Sequence, residues 1–383
     1  MIERAERASP ALTSLAASVE WVRERAWIVV WWSAGRALVL AVALVVDAVG
    51  PRGYLAHDER SHVFGLLASW DGRWYRLVAE HGYLLVPERQ SDPAFFPLYP
   101  MLLRAAHGLG LSYASTGLLL SNVVLLVALF AFYALGTEVV GAMVARRATV
   151  YVAIFPAGYV FSMSYPESFV LAAMSLAALA ALRGRWGLAA ACASAGALAR
   201  PEGAFVALPL LAIALDGQRH RSPHERGLAF GAALAPFAVL ASFPLYLGFV
   251  LHDPFAWSKA ESRWGRHFSP IGFVDAFDRL PAAFDHSAWV LRDLGALAGY
   301  LLLLWLARRS SVPLAWRLAG LAVVALPVFS GSFDSIARFG LLVPAVFWGL
   351  AWVGRHRHAD RAIRIASIGL LAAATATIPY AFP

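Results

Sequence analysis

Long apolar runs separated by short polar turns recur along the whole chain. A helix needs about 20 mostly apolar residues, within a range of roughly 17–25, to cross the hydrocarbon core of a bilayer. Trp27–Val49 is the first run of that kind and Gly117–Val140 the next full-length one. Further runs cover Val150–Tyr165, Ser168–Leu182, Trp186–Leu198, Ala204–Leu215, Gly227–Leu251, Ala288–Ala307, Pro313–Phe329, Phe339–Val353 and Ile363–Tyr380. After the first run comes a polar and aromatic stretch, Pro51–Pro93, and then a shorter apolar piece, Phe95–Leu109, that carries Arg104 and His107. Its length and charges predict a helix lying in the interface. The alternative is that this helix spans and a short segment elsewhere is re-entrant. The first run follows Arg23, Glu24 and Arg25, is long for a signal-peptide core and lacks a small-residue cleavage site, so it is expected to be an uncleaved anchor. The pattern therefore predicts an all-α polytopic membrane protein of about eleven spans. It forms one integral-membrane unit over 1–383, with a first outer loop over 50–115 that holds interfacial helices, and no separate soluble domain.

Composition agrees. The chain is 60% apolar and 15% charged, whereas soluble domains average roughly 45–50% and about 25%. That excludes a disordered chain, a disulfide scaffold and an ordinary soluble enzyme. Net charge is +8, but the basic residues sit in short loops, so the excess reads as topology rather than nucleic-acid binding. Arg146 and Arg147, Arg183 and Arg185, Arg219 to Arg226, Arg308 to Arg317, and Arg355 to Arg364 fall in alternate loops, which predicts a cytoplasmic side for them and for the N-terminus. Lys259 is the one lysine; with the Ala-rich runs this points to a bacterial source of high GC content. The one cysteine, Cys192, lies in an Ala-rich run and reads as a small buried residue.

The opposite, outer turns hold the unusual polar residues. Trp70-Asp71-Gly72-Arg73-Trp74-Tyr75, continuing to His81-Gly82-Tyr83, sets an acid between aromatic rings suited to a membrane interface. A partly desolvated Asp71 suits a general base; the competing reading is an aromatic belt with Asp71 as a helix cap. Phe95-Phe96-Pro97-Leu98-Tyr99-Pro100 marks a rigid turn into the interfacial helix. Tyr165-Pro166-Glu167-Ser168 and Arg200-Pro201-Glu202-Gly203 place ionisable groups at helix mouths, where each asks for a partner or a cavity. For Glu202 an interfacial ion pair is the favoured reading. Arg338, before Phe339, opens an outward helix end, and its forked guanidinium donors match phosphate oxygens; the competing reading is an interfacial anchor for the headgroups. The histidines show no metal-ligand spacing, and there is no P-loop, dinucleotide fingerprint or nucleophile elbow.

These motifs, in this order, resemble the GPI mannosyltransferase II (PIG-V-type) family in its bacterial branch. The matching pieces are Trp70-Asp71-Gly72-x-Trp74-Tyr75 with Gly82-Tyr83, the Phe95–Pro100 segment, Tyr165–Ser168, Arg200-Pro201-x-Gly203 and Arg338-Phe339. The resemblance implies a GT-C fold with its active site on the outer face of the bacterial plasma membrane. It implies an inverting transfer from a polyprenyl-phosphate-mannose donor to a lipid-linked or protein acceptor, with membrane lipids as surroundings and no nucleic acid. Asp71 would be the base and Arg338 the phosphate ligand, with Arg200 a second candidate. Trp70, Trp74, Tyr75, His81, Tyr99, Tyr165 and Glu167 would bind substrate or line the pocket. Asp71 is followed by Gly72 rather than a second carboxylate, so no metal and no cofactor are expected. A bacterium lacks GPI anchors, so the eukaryotic acceptor does not transfer. Two other classes compete: a lipid-linked sugar transporter or flippase, and a non-catalytic subunit of another transferase. Mid-membrane charges and related halves would mark the transporter, and neither stands out here.

Overall fold

The computed structural model describes residues 20, 23–50, 65–286 and 289–383. Residues 51–64 of the expected first outer loop, and the 287–288 join, lie outside the described residues. All regular structure in the described residues is helical, with no strand. In chain order the helices are α1 Ala26–Val49, α2 Asp71–His81, α3 Leu98–His107, α4 Tyr113–Val140, α5 Ala142–Ile154 and α6 Glu167–Leu182. Then come α7 Trp186–Ala199, α8 Ala207–Asp216, α9 Pro223–Leu251, α10 Ala256–Arg263, α11 Gly272–Asp278 and α12 Leu280–His286. The last are α13 Val290–Ala307, α14 Leu314–Phe329, α15 Ile336–Phe339, α16 Pro344–Val353 and α17 Arg357–Ala376.

Among the described residues, four helices are long and apolar enough to cross a membrane: α1, α4, α9, and α13 with its continuation to Ser310. The chain is a multi-pass membrane protein. Two further apolar stretches are bent pairs, Pro156–Ser162 with α6 at 97° and Ile336–Leu342 with α16 at 89°, which raise the count to six if each is one span. The remaining apolar runs are shorter; α7, with 14 residues, is about 21 Å long at 1.5 Å per residue, against a core of about 30 Å. Eleven full-length spans therefore do not appear as eleven long helices. Prolines explain much of the difference. Pro156 and Pro344 each stand at the first or second position of a helical segment, dividing what reads in sequence as one run. Within 95–109 the helix is α3, whose ten residues are about 15 Å long, half the thickness of a bilayer core of about 30 Å.

Local chemistry sets the helix starts. Ser112 caps α4 by accepting from the Ser115 N–H at 3.2 Å. At α9, Ser222 accepts from the Glu225 N–H and the Glu225 carboxylate accepts from the Ser222 N–H at 2.9 Å, a reciprocal capping box. Phe237, Leu245 and Phe249 of α9 remain exposed, an apolar face turned to lipid.

One buried charge inside a span was not distinguished in the sequence. Arg36 of α1 is buried and donates to the Gly158 carbonyl at 2.9 Å, the Ser162 hydroxyl at 2.8 Å and the Ala153 carbonyl at 3.1 Å. A guanidinium inside a membrane protein persists because backbone acceptors freed at a helix break satisfy it. Here it fastens α1 to the broken segment between α5 and α6. That segment ends at Tyr165, behind the site described next.

Candidate active site

Turns far apart along the chain meet around one cavity of about 400 Å³. Asp71, Tyr75, Arg200 and Arg338 line it. Asp71, the first residue of α2, is buried, and its carboxylate accepts from Arg338 Nη1 at 2.5 Å. The Asp71 backbone N–H donates to the Tyr165 hydroxyl at 3.0 Å. Trp70, just before it, has φ 58° and ψ −123°, a region costly for any side chain but glycine. Its indole donates to the Ile378 carbonyl at 2.9 Å and its ring meets Phe382 edge-on at 5.6 Å, which holds the strained turn in place. Gly72 follows because the backbone passes close to Ser164: a Cβ would lie 3.3 Å from Ser164 Cβ and 3.4 Å from its carbonyl oxygen.

Behind this pair lies a buried triad. Arg200 holds Glu202 through two bonds of 3.0 Å and Glu167 through one of 2.6 Å. Arg338 stands 3.9 Å from Glu167, which links the triad to Asp71. Glu202 is thus in an ion pair, and that pair is buried within the protein. The turn carrying Arg200 packs tightly. A Cβ on Gly203 would collide with the Gly196 carbonyl, which accounts for glycine in Arg200-Pro201-x-Gly203.

The other expected residues take different places. Trp74 stacks on Phe95 at 5.9 Å and meets Trp264 edge-on at 5.3 Å, so it belongs to an aromatic wall beside the cavity. Tyr99 is fully buried, and its hydroxyl bonds Ser121 at 3.0 Å, Ser164 at 3.2 Å and the Gly117 carbonyl at 3.3 Å. It pins α3 to α4 and lies outside the cavity lining. His81 is exposed beside Glu80 at 3.6 Å, also outside that lining. Among the described residues no group of three or more His, Cys, Asp or Glu is placed to hold a metal; the acids nearest Asp71 are paired with arginines instead.

Sequence reasoning missed several lining residues. Glu261 and Trp264 come from α10 and its end. Burial raises the Glu261 carboxyl above its usual range against the opposing pull of Arg266. Arg292 and Asp293 stand in the first turn of α13, and an Arg-Asp doublet heading an apolar run was the available signal. Tyr380 to Phe382, past α17, close another side.

The loop between α2 and α3 supports the aromatic wall. Asp92 accepts from the Leu84 N–H at 2.7 Å, and the Tyr83 hydroxyl donates to the Phe95 carbonyl at 2.8 Å. Burial pushes the Asp92 carboxyl from 3.8 up to about 6. Because the folded value is the higher one, the folded state holds the extra proton between those limits, and stability falls as pH rises through this window. Asn at this position keeps the acceptor and carries no charge. Asp92→Asn is therefore expected to melt higher than the parent at pH 8 and with little difference at pH 4. Melting curves across that range check it, and a gap that is constant with pH contradicts it.

No family model matches the sequence, and no curated protein matches it significantly. Solved structures of an archaeal oligosaccharyltransferase, AglB from Archaeoglobus fulgidus, align with this chain. One, in complex with an inhibitory peptide and a dolichol-phosphate, aligns with a TM-score of 0.44 and 13% identity over 92% of this chain and 56% of that one. Another, tethered to an acceptor peptide containing the NVT sequon, aligns at 0.44 and 12% over 92% and 55%. A third, with Zn and sulfate, aligns at 0.40 and 15% over 88% and 53%. The chain thus spans a little over half the length of these proteins, and likeness at this distance bears on neither activity nor substrate.

Proposed function

We propose that the chain is an inverting membrane glycosyltransferase of the GT-C kind, a bacterial relative of the GPI mannosyltransferase II family. It transfers mannose from polyprenyl-phosphate mannose to a lipid-linked or protein acceptor at the outer face of the plasma membrane. The observation that supports this reading most is the buried Asp71–Arg338 contact, 2.5 Å long, at the wall of the cavity. It sets one proton acceptor beside one fixed cation. The reaction needs that minimum. The acceptor O–H proton passes to the Asp71 carboxylate as the acceptor oxygen bonds the anomeric carbon. The bond from that carbon to the phosphate oxygen breaks on the opposite face, and the phosphate leaves with the electron pair toward Arg338. The donor carries its energy in its own phosphodiester, so no nucleotide or cofactor is invoked. An arriving phosphate also competes with Asp71 for Arg338, and that competition releases the carboxylate to act as a base.

Arg338→Lys keeps a charge beside Asp71 but loses the planar fork of donors. Its apparent KM for polyprenyl-phosphate mannose is expected to rise roughly tenfold, about 1.4 kcal/mol, with a smaller change in kcat. Steady-state kinetics in membranes measure both. An unchanged donor KM removes Arg338 from phosphate recognition.

A further inference from the structure

The turn that carries Arg338 is held more rigidly than an ion pair alone requires. The Ala337 N–H donates to Asp293 Oδ1 at 2.9 Å, and the Ala337 carbonyl accepts from the Tyr300 hydroxyl at 2.6 Å. Both clamps come from α13. The other Asp293 oxygen accepts from Arg292 Nη2 at 2.9 Å, and that nitrogen also donates to the Phe382 carbonyl at 3.0 Å. Asp293 is buried, so one carboxylate locks the Arg292 guanidinium and the 335–338 turn into a single frame.

Within that frame, polar atoms are left over. Arg338 Nε, Arg292 Nε and Ser335 Oγ are buried and have no hydrogen-bond partner. All three residues line the cavity. Ser335 is 1% exposed, Arg338 5%. Ser335 also sits at φ 68° and ψ 9°, the left-handed region, which serine adopts at a cost. Buried N–H and O–H groups without acceptors are expensive, of order 1–3 kcal/mol each, and rare in folded proteins. Two guanidinium N–H groups and one hydroxyl on a common rigid frame are what a tetrahedral oxyanion with several acceptor oxygens would satisfy.

We propose that Ser335 and Arg292 complete, with Arg338, a cradle for the phosphate monoester of a lipid phosphate, with Asp293 and Tyr300 as positioning residues that fix its shape. The proposal rests on the transferase reading for its place in the reaction, since this is the group that would leave with the polyprenyl chain. It goes further in assigning ligands that neither the motifs nor the Asp71–Arg338 pair indicates. Arg338 would then serve the leaving oxygen while Ser335 and Arg292 hold the remaining phosphate oxygens away from Asp71.

The test is equilibrium binding to the purified full chain in lipid nanodiscs, with farnesyl phosphate as probe and farnesol and inorganic phosphate as comparison arms. Ser335→Gly removes the hydroxyl while glycine adopts the left-handed conformation freely; Arg292→Lys keeps the charge opposite Asp293. Farnesyl phosphate is expected to bind the parent at least tenfold tighter than farnesol and to weaken about five- to tenfold in each variant, with farnesol unchanged. Inorganic phosphate binding as tightly as farnesyl phosphate, and weakened alike by the variants, would assign the cradle to free phosphate and overturn the lipid-linked ligand. Farnesyl phosphate that fails to bind the parent, or binds the variants equally well, overturns the cradle, even if mannosyl transfer is intact. Weakened binding in both variants from a chain that transfers no sugar upholds the cradle and removes only the transferase reading.

Discussion

Arg200→Met is expected to cost about 3–5 kcal/mol of stability, the loss typical when one partner of a buried ion pair is removed. The reason lies in what stays behind. Glu167 and Glu202 are fully or almost fully buried and receive most of their compensation from this one guanidinium, through bonds of 2.6 to 3.0 Å. Without it, two carboxylates face each other in a desolvated site, with Arg338 at 3.9 Å from Glu167 as the remaining cation. Arg338 would then be drawn from Asp71, so the damage should spread to activity. The cost arises from uncompensated charge rather than lost volume, and this can be separated. Arg200→Met combined with Glu167→Gln and Glu202→Gln should recover much of the lost stability. Unfolding midpoints of the purified variants in mild detergent measure both. Equal midpoints for the single and triple variants would show that packing, not charge, is what Arg200 supplies.

Asp71→Asn is expected to lower the transfer rate by about 10²–10⁴-fold, the usual worth of a positioned general base. Asparagine has nearly the same shape and still offers an oxygen to Arg338 Nη1, and its backbone N–H can still donate to Tyr165. It cannot take up the acceptor proton. Arg338 is freed from a charged partner in this variant, so the donor should bind as well as in the parent or better. A rate loss with retained donor affinity separates loss of chemistry from collapse of the site. A variant that loses donor binding and melting temperature together would instead mark Asp71 as a structural partner of Arg338.

The contrast between these residues shows what an apolar chain reveals about itself. Charges are scarce in it, so those at the turns opposite the arginine loops stand out. Asp71, Glu167, Arg200 and Arg338 form one chain of ion pairs in the structure, of which Asp71, Arg200 and Arg338 line the cavity. Their partners were not legible, because Asp71 and Arg338 are 267 positions apart and pairing at that distance leaves no local pattern. Trp70, Trp74 and Tyr75 stood out as aromatics at an interface, yet only Tyr75 lines the cavity, while Trp70 braces the strained turn and Trp74 builds the wall. Tyr99 and His81 were grouped with them by motif alone; helix packing sends one into the core and the other to the surface. Arg36 and the Arg292–Asp293 doublet were hidden inside or at the head of apolar runs, where periodicity reports length and not the carbonyls or carboxylates that a break elsewhere supplies. Helix lengths were hidden for the same reason: hydropathy sees a continuous run at Val150–Tyr165 and Phe339–Val353, where Pro156 and Pro344 divide it into a short turn and a short helix.

Single-turnover transfer from polyprenyl-phosphate mannose bound to the purified chain, parent against Asp71→Asn, tests the central claim most directly, because the donor is already in place and only the chemical step is read. The parent is expected to form a product of inverted anomeric configuration, and the variant to form it at least a hundredfold more slowly with donor still bound. Transfer by Asp71→Asn at the parent's rate, or a product of retained configuration, would contradict that claim.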